Sequence, residues 1–315
     1  MNNVKMSAIG LAVLMSSAVM AGERVDETVS TSADSRVSID VQSGKVEIKT
    51  WDKNEVQVRG ELDDDAEGYE FVAEGDGRVV FKVHMPKRRW GSWNEEGSTL
   101  EFYMPVNSNL RFEGVNVDVK AQDVKGGSKI HTVNGDVKAS NLVGRIDLET
   151  VNGEINASGL SGDIELNTVN GEIRDESSQG EVQIETVNGD INTNTSADEL
   201  NISNVNGDMD LQLAGVKELE ISTVNGDIDL VLNAESLDRA YITTVGGDAD
   251  VRFEGDVNAE FNIEAHSGGD ITNRLTNDKV KKAKYGPGES LRFVKGKGKA
   301  NIEIDTVSGD IKIRD

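Results

Sequence analysis

The chain has 315 residues, carries 57 acidic against 33 basic side chains for a formal charge of −24, and is only 4% aromatic. So acidic a surface repels nucleic-acid phosphate and anionic lipid, which excludes nucleic-acid partners. It contains no cysteine, so a disulfide framework, a thiol nucleophile and a lipid-anchored cysteine are excluded too.

Residues 1–21 read as a secretory signal peptide. Lys5 precedes a short apolar run at 9–14, and Val19-Met20-Ala21 offers a small-residue cleavage site. Beyond it no run of about 18 apolar residues occurs, so membrane insertion is not expected. The expected destination is the periplasm or the medium, without a lipid anchor. Residues 22–315 are expected to form one elongated domain: irregular N-terminal coils and a cap over 22–130, regular coils of 18–22 residues over 131–271, and an insertion with C-terminal coils over 272–315.

From residue 37 to 62 apolar and polar residues alternate, in Val37-Ser38-Ile39-Asp40-Val41, Val46-Glu47-Ile48 and Val56-Gln57-Val58, the period of strands with one buried face. Ser43-Gly44-Lys45 imitates the bends found later, so the repeating structure is expected to start here. Residues 69–85 and 99–104 are further strands. Between them Lys87, Arg88, Arg89, Trp90 and Trp93 form a basic, aromatic loop in an acidic protein. Exposed tryptophans stack on sugars or anchor protein interfaces, which makes this loop a candidate binding site. The same rings could instead shield the open end of a stack from edge pairing.

From residue 132 the chain repeats. Thr-Val-Asn-Gly-Asp/Glu-Ile/Val occupies 132–137, 150–155, 168–173 and 186–191, looser copies follow at 204–209 and 223–228, and the pattern decays at 244–249, 266–271 and 306–311. Gly135, Gly153, Gly171, Gly189 and Gly207 stand 18 residues apart. Between bends, 144–150, 162–168 and 180–186 alternate with a period of two, pointing Ile146, Leu148, Ile164, Leu166, Val182 and Ile184 inward. After each bend Val137, Ile155, Ile173, Ile191, Met209 and Ile228 do the same. A train of Asn-Gly hairpins would not keep so constant a period or repeat residue types at matching positions. The expected fold is all-β: a single-stranded β-helix or solenoid, right-handed, with about 18 residues per coil.

Stacking in register about 4.8 Å apart turns repeat positions into columns. Asn134, Asn152, Asn170, Asn188, Asn206 and Asn225 form an asparagine ladder. Thr132, Thr150, Thr168, Thr186 and Thr223 form another column beside it. Both are expected to hold the bends. Asp136, Glu154, Glu172, Asp190, Asp208 and Asp227 make a column of like charges that repel by roughly 0.9 kcal/mol per neighbour in water. No cofactor is expected; Asp190, Asp208, Asp210, Asp227 and Asp229 are candidate ligands for weakly bound calcium, since oxygen-rich clusters suit that ion, with screening by salt as the alternative. The i, i+2 pairs Asp208/Asp210, Asp227/Asp229 and Asp248/Asp250 also admit a second reading, a β-helix polysaccharide lyase or hydrolase working with paired carboxylates. His84, His131 and His266 form no His/Cys metal cluster, and the last two lie about seven coils, roughly 34 Å, apart. The chain is therefore expected not to be an enzyme.

A gap of 40 residues separates Gly269 from Gly309. In it Lys279, Lys281, Lys282 and Lys284 lie beside Gly286-Pro287-Gly288, a second candidate binding region. The spacing suits two coils with an insertion or one coil with a protruding hairpin.

The segment Gly44-Lys45-Val46-Glu47-Ile48-Lys49-Thr50-Trp51-Asp52 resembles the bacterial putative-adhesin domain of unknown function, the toastrack-type β-solenoid. Tyr103-Met104-Pro105 leading into the Asn-Gly coils, and the run from Gly296-Lys297-Gly298 to 306–311, carry the same resemblance, which extends roughly over 35–315. It implies a β-helix-like domain of exported or membrane-associated proteins, with adhesion suggested by shape and no family active site to transfer. The functional expectation is an exported, non-catalytic, adhesin-like or envelope-associated module. It presents an acidic surface to a protein or carbohydrate of the cell envelope or extracellular surface. The sequence sets no oligomeric state.

Overall fold

A computed structural model describes residues 23–86 and 97–315; the leader at 1–21 and the basic loop with Lys87, Arg88, Arg89, Trp90 and Trp93 lie outside the described residues. Among the described residues all regular structure is β, in 27 strands. Among the described residues no helix is long and apolar enough to cross a membrane.

Each regular coil contains two strands. A long one such as Ser161–Asn170 ends at the Asn-Gly bend, a short one such as Ile173–Glu176 follows, and a second bend leads to the next long strand. Long strands pair in parallel with long strands, matching Ile146 to Ile164, Leu148 to Leu166, Thr150 to Thr168 and Asn152 to Asn170. Short strands form a second parallel ladder, with Ile155 on Ile173 and then Ile191. The inward faces meet between the ladders, where Ile146, Leu148, Ile155, Ile164, Leu166, Ile173, Ile184 and Ile191 are buried. Each such side chain contributes about 1.5–3 kcal/mol by leaving water. Leu142, Leu160, Ala197, Val216 and Leu237 fill the second bend, closing the core where no strand covers it.

The bend glycines answer to stacking whether or not their local conformation demands glycine: Gly135 and Gly207 are at positive φ, Gly153 and Gly189 are not. A β-carbon on Gly189 would lie 1.9 Å from the carbonyl oxygen of Gly171 in the preceding coil, although Gly189 is not among the positive-φ glycines. The ladder asparagines are not at positive φ either; the non-glycine residues there are Asp123, Asn141 and Ser177. Asparagine recurs because its amide reaches the next coil: Asn152 Nδ2 donates to Asn134 Oδ1 at 2.8 Å, and Asn170 and Asn188 continue at 2.9 Å. The ladder starts one coil before the repeat becomes recognisable, with Asn134 Nδ2 donating to Asn116 Oδ1 at 2.7 Å. Thr150 Oγ1 donates to the carbonyl of Gly135 at 3.0 Å, tying the threonine column to the glycines.

Both ends depart from chain order. The long strand Arg239–Thr244 pairs with the last long strand in the chain, Ala300–Thr306, and that strand pairs on its other side with Ala259–Ala265. The short strand Ile311–Arg314 lies likewise between Ala249–Glu254 and Ile271–Asn273. The last coil in sequence is thus the penultimate coil in space. Glu289–Lys295 then covers Ala259–Ala265 as an antiparallel strand, with Lys281–Lys282 pairing beyond it. This resolves the 40-residue spacing: one coil, an antiparallel cap lying flat on it, and a terminal coil tucked in beneath.

The N-terminal end repeats the arrangement. The first complete coil, Arg36–Trp51, lies between Asn109–Gln122 and the coil made by Arg78–His84 and Ser98–Pro105. Antiparallel strands Glu55–Glu61, Arg24–Ser30 and Gly68–Ala73 close the outer edge. Antiparallel capping consumes the unpaired N–H and C=O groups that would otherwise template aggregation.

Candidate functional site

Among the described residues, those singled out by the sequence lie on three surfaces: the Asn-Gly bends, the short-strand face and the terminal cap. In the bends the aspartates serve the backbone. Asp136 N–H donates to Asp118 Oδ1 at 3.1 Å, Asp208 N–H to Asp190 Oδ1 at 2.9 Å, Asp227 N–H to Asp208 Oδ1 at 3.0 Å and Asp248 N–H to Asp227 Oδ1 at 2.9 Å. The series runs on through the intercalated coil, from Asp310 to Asp248 and from Asp270 to Asp310. Each carboxylate therefore offsets part of the repulsion along its column by accepting a charge-assisted hydrogen bond. Where glutamate replaces aspartate the side chain reaches elsewhere: Glu154 and Glu172 pair with Arg174, and Glu172 also accepts from Asn192. Asp208→Asn, which keeps the acceptor and removes the charge, is expected to leave stability unchanged or slightly higher. Asp208→Ala should lose about 1 kcal/mol; urea unfolding at low and high salt separates the two.

On the short-strand face Asp210, Asp229 and Asp250 stand in register, followed by Lys312. Partial burial and then the neighbouring carboxylates of Asp250, Asp210 and Asp227 push Asp229 above the usual range. Asp250 is partly desolvated as well, yet Arg314, at 2.8 Å, and Lys312 hold it below that range. The structure thus brings Asp208, Asp210, Asp227 and Asp229 onto adjacent coils while assigning one oxygen of Asp208 and one of Asp227 to the backbone.

Lys279 and Lys281 are exposed, on or beside the terminal cap. Lys282 Nζ lies 2.9 Å from Glu289 Oε1, and the other oxygen of that buried carboxylate accepts the N–H of Ile271 at 2.9 Å. The Ile271 N–H and Lys282 together hold Glu289 below its ordinary range. Lys282 therefore fastens the cap to the coil beneath it. At the opposite end a groove of about 620 Å³ is lined by Lys45, Arg59, Lys120 and Lys138 together with Glu47, Glu101, Asp118 and Asp136. Charges of opposite sign meet there, with Lys120 at 3.0 Å from Glu47.

The outer face of the long strands carries a feature that reading the repeat as a bend passes over. In Thr-Val-Asn-Gly the threonine points inward and the valine outward. Val133, Val169, Val187, Val205, Val224, Val245 and Val307 are 38–47% exposed, and Val115 and Val151 occupy the same row half-buried. The row follows the stack and not the chain, so Val307 falls next to Val245. Two residues before each valine, on the same face, stands a polar partner: Glu149, Asn167, Glu185, Ser203 and Ser222. A groove of about 550 Å³ runs between the two rows. Breaking phase was the available signal, an apolar residue recurring at an outward position.

Histidines that are remote from one another each meet carboxylates on adjacent coils. His131 Nε2 lies 3.0 Å from Asp147 Oδ1 and 3.4 Å from Glu149 Oε2. Burial works to raise the Asp147 carboxyl, but hydrogen bonds from Lys129 and His131 hold it below its usual range. Glu264, His266 and Asp305 gather in the same way near the other end of the face. Sequence reasoning compared histidines only with histidines and cysteines; the coil period itself points from His131 to Glu149.

Parallel ladders of stacked two-strand coils, hydrogen-bonded bend columns and antiparallel caps define a β-solenoid. The profile of the Toastrack DUF4097 family matches residues 34–314, and the chain belongs to that family. It is also similar to the crystal structure of a "putative cell adhesion protein" from Clostridium sporogenes ATCC 15579. Identity is 11% over 93% of this chain and 99% of that one, with a TM-score of 0.26. No curated protein matches the chain.

Proposed function

We propose that this protein is an exported, non-catalytic, adhesin-like binding module that lays a protein or carbohydrate of the envelope or cell surface along its long-strand face. The observation that carries this reading is the continuous row of half-exposed valines beside a row of carboxylate, amide and hydroxyl groups. The fold does not require it, because the core lies on the opposite side of the same strands. An extended partner lying parallel to the stack meets an equivalent contact about every 4.8 Å. The valines release water on contact, and Glu149, Asn167, Glu185, Ser203 and Ser222 supply polar partners that fix register. A polysaccharide lyase or hydrolase built on the aspartate pairs has less support. Asp208, Asp227 and Asp248 each accept a backbone N–H, and Asp250 is neutralised by Lys312 and Arg314.

The test is solid-phase binding to a glycan array and to isolated envelope fractions, with Val187→Asp/Val205→Asp and Trp90→Ser/Trp93→Ser as variants. The valine pair should weaken binding by at least about 10-fold, about 1.4 kcal/mol, with an unchanged melting temperature. Undiminished binding by the valine variant, with loss in the tryptophan variant, would move the site to the basic loop.

A further inference from the structure

We infer that His131, Asp147 and Glu149 form a binding site for a divalent transition-metal ion of the zinc class. The three side chains project from regular strands. His131 and Glu149 are in-register neighbours on the parallel strands Ser128–Asn134 and Val143–Asn152, and Asp147 precedes Glu149 by two residues on the same face. The imidazole nitrogen already stands at ligand spacing from both carboxylates. His131 Nε2 is 3.0 Å from one carboxylate oxygen and 3.4 Å from the other, and all three donors lie within 4.8 Å of one another. Donors at about 2.0–2.2 Å from a shared ion, at tetrahedral or octahedral angles, are separated by roughly 3.0–3.5 Å. One imidazole nitrogen with two carboxylate oxygens is a donor set for zinc and its neighbours; calcium prefers oxygen throughout.

The surroundings sharpen the assignment. Lys129 holds Asp147 through Oδ2 and leaves Oδ1 turned to His131, an outer contact that fixes the ligand's orientation. Glu113 stacks beside His131 from the preceding coil and is paired with Arg111, while Glu165 and Asn167 flank Asp147 and Glu149 from the next. The side chains of Asp147 and His131 are 19% and 29% exposed and that of Glu149 48%, so the site opens on the Glu149 side. Glu149 also lines the valine groove. An ion with three protein ligands retains an open position, as catalytic and ligand-exchanging zinc sites do. Glu264, His266 and Asp305 offer the same donor types, but His266 follows the end of its strand and Arg292 lies 2.6 Å from Glu264 Oε1.

Isothermal titration of the full chain with zinc chloride at pH 7 and physiological salt tests the site, and binding of the ion stands apart from whether the groove holds a partner. The expected result is one saturable site that survives excess calcium and His266→Ala. His131→Ala and Glu149→Gln should each weaken it by about 10-fold or more. Glu149→Gln preserves side-chain size, so the comparison stands even if His131→Ala disturbs the coil. Absence of saturable zinc binding, undiminished affinity in both variants, or loss of the site in His266→Ala would each overturn the assignment.

Discussion

A chain ending at Lys299 is expected to lose the order of its whole C-terminal end, far beyond the missing coil. In a solenoid stacked in chain order the last coil contacts one neighbour, and its removal deletes one interface. Here Ala300–Thr306 and Ile311–Arg314 are paired on both sides. Their loss removes buried Ile302, Ile304, Ile311 and Ile313 and separates Arg239–Thr244 from Ala259–Ala265. At about 1.5 kcal/mol or more for each isoleucine, the deficit is at least roughly 6 kcal/mol, comparable with the total stability of an ordinary domain. Urea unfolding and limited proteolysis should show early melting and cleavage between residues 255 and 299. A truncated chain that unfolds like the full one, with those residues still resistant, would contradict the observed stacking.

Asp175→Asn is expected to stabilise the protein at neutral pH. Asp175 occupies an inward position of its short strand, between Ala157 and Thr193 in the stack, and is 1% exposed. Burial pushes its carboxyl up from 3.8 to about 6, against hydrogen bonds donated by Ser178 and, at 3.1 Å, Thr193. The folded state therefore binds the proton more tightly than the unfolded state. Its contribution favours folding at low pH and is lost as pH rises from about 4 to about 6, a change of about 3 kcal/mol. In Asp175→Asn one hydroxyl can keep donating to Oδ1 while the other rotates to accept from Nδ2. The variant should exceed the wild type by up to about 3 kcal/mol at pH 7.5 and match it near pH 4. Taking the difference between the two proteins at each pH removes the opposite trend from paired carboxylates such as Glu289 and Asp250. A difference that widened toward acid would contradict the assignment.

The coil was legible because its period is written in residues with no alternative use. Alternating Ile and Leu between Asn-Gly bends can bury one face only by stacking, and the Asn and Thr columns follow from that. The coil order was not legible: nothing in the closing repeat at 306–311 distinguishes a last coil from a penultimate one, and the choice depends on which edge the cap strand Glu289–Lys295 covers. Bend acids read as a chain of repelling charges because side-chain pattern carries no information about backbone N–H groups, and the Asp208-to-Asp227 contact is with backbone. The valine row was hidden inside a motif whose Asn and Gly already had a structural explanation. His131 was set aside by its distance from His266, whereas its partners Asp147 and Glu149 lie one coil away.

Since the chain has no native cysteine, its coil order can be measured by engineered disulfides without interference. Tyr241 is in register with Glu303, and Glu303 with Asn262. Adjacent strands place α-carbons about 4.8 Å apart, within disulfide reach, whereas two ladder steps place them about 9.6 Å apart, beyond it. Under mild oxidation Tyr241→Cys/Glu303→Cys should form a bond that alters migration on a non-reducing gel, and Tyr241→Cys/Asn262→Cys should remain reduced. Ready oxidation of the second pair, with the first left reduced, would mean that the coils stack in chain order and that the clasped end described here is wrong.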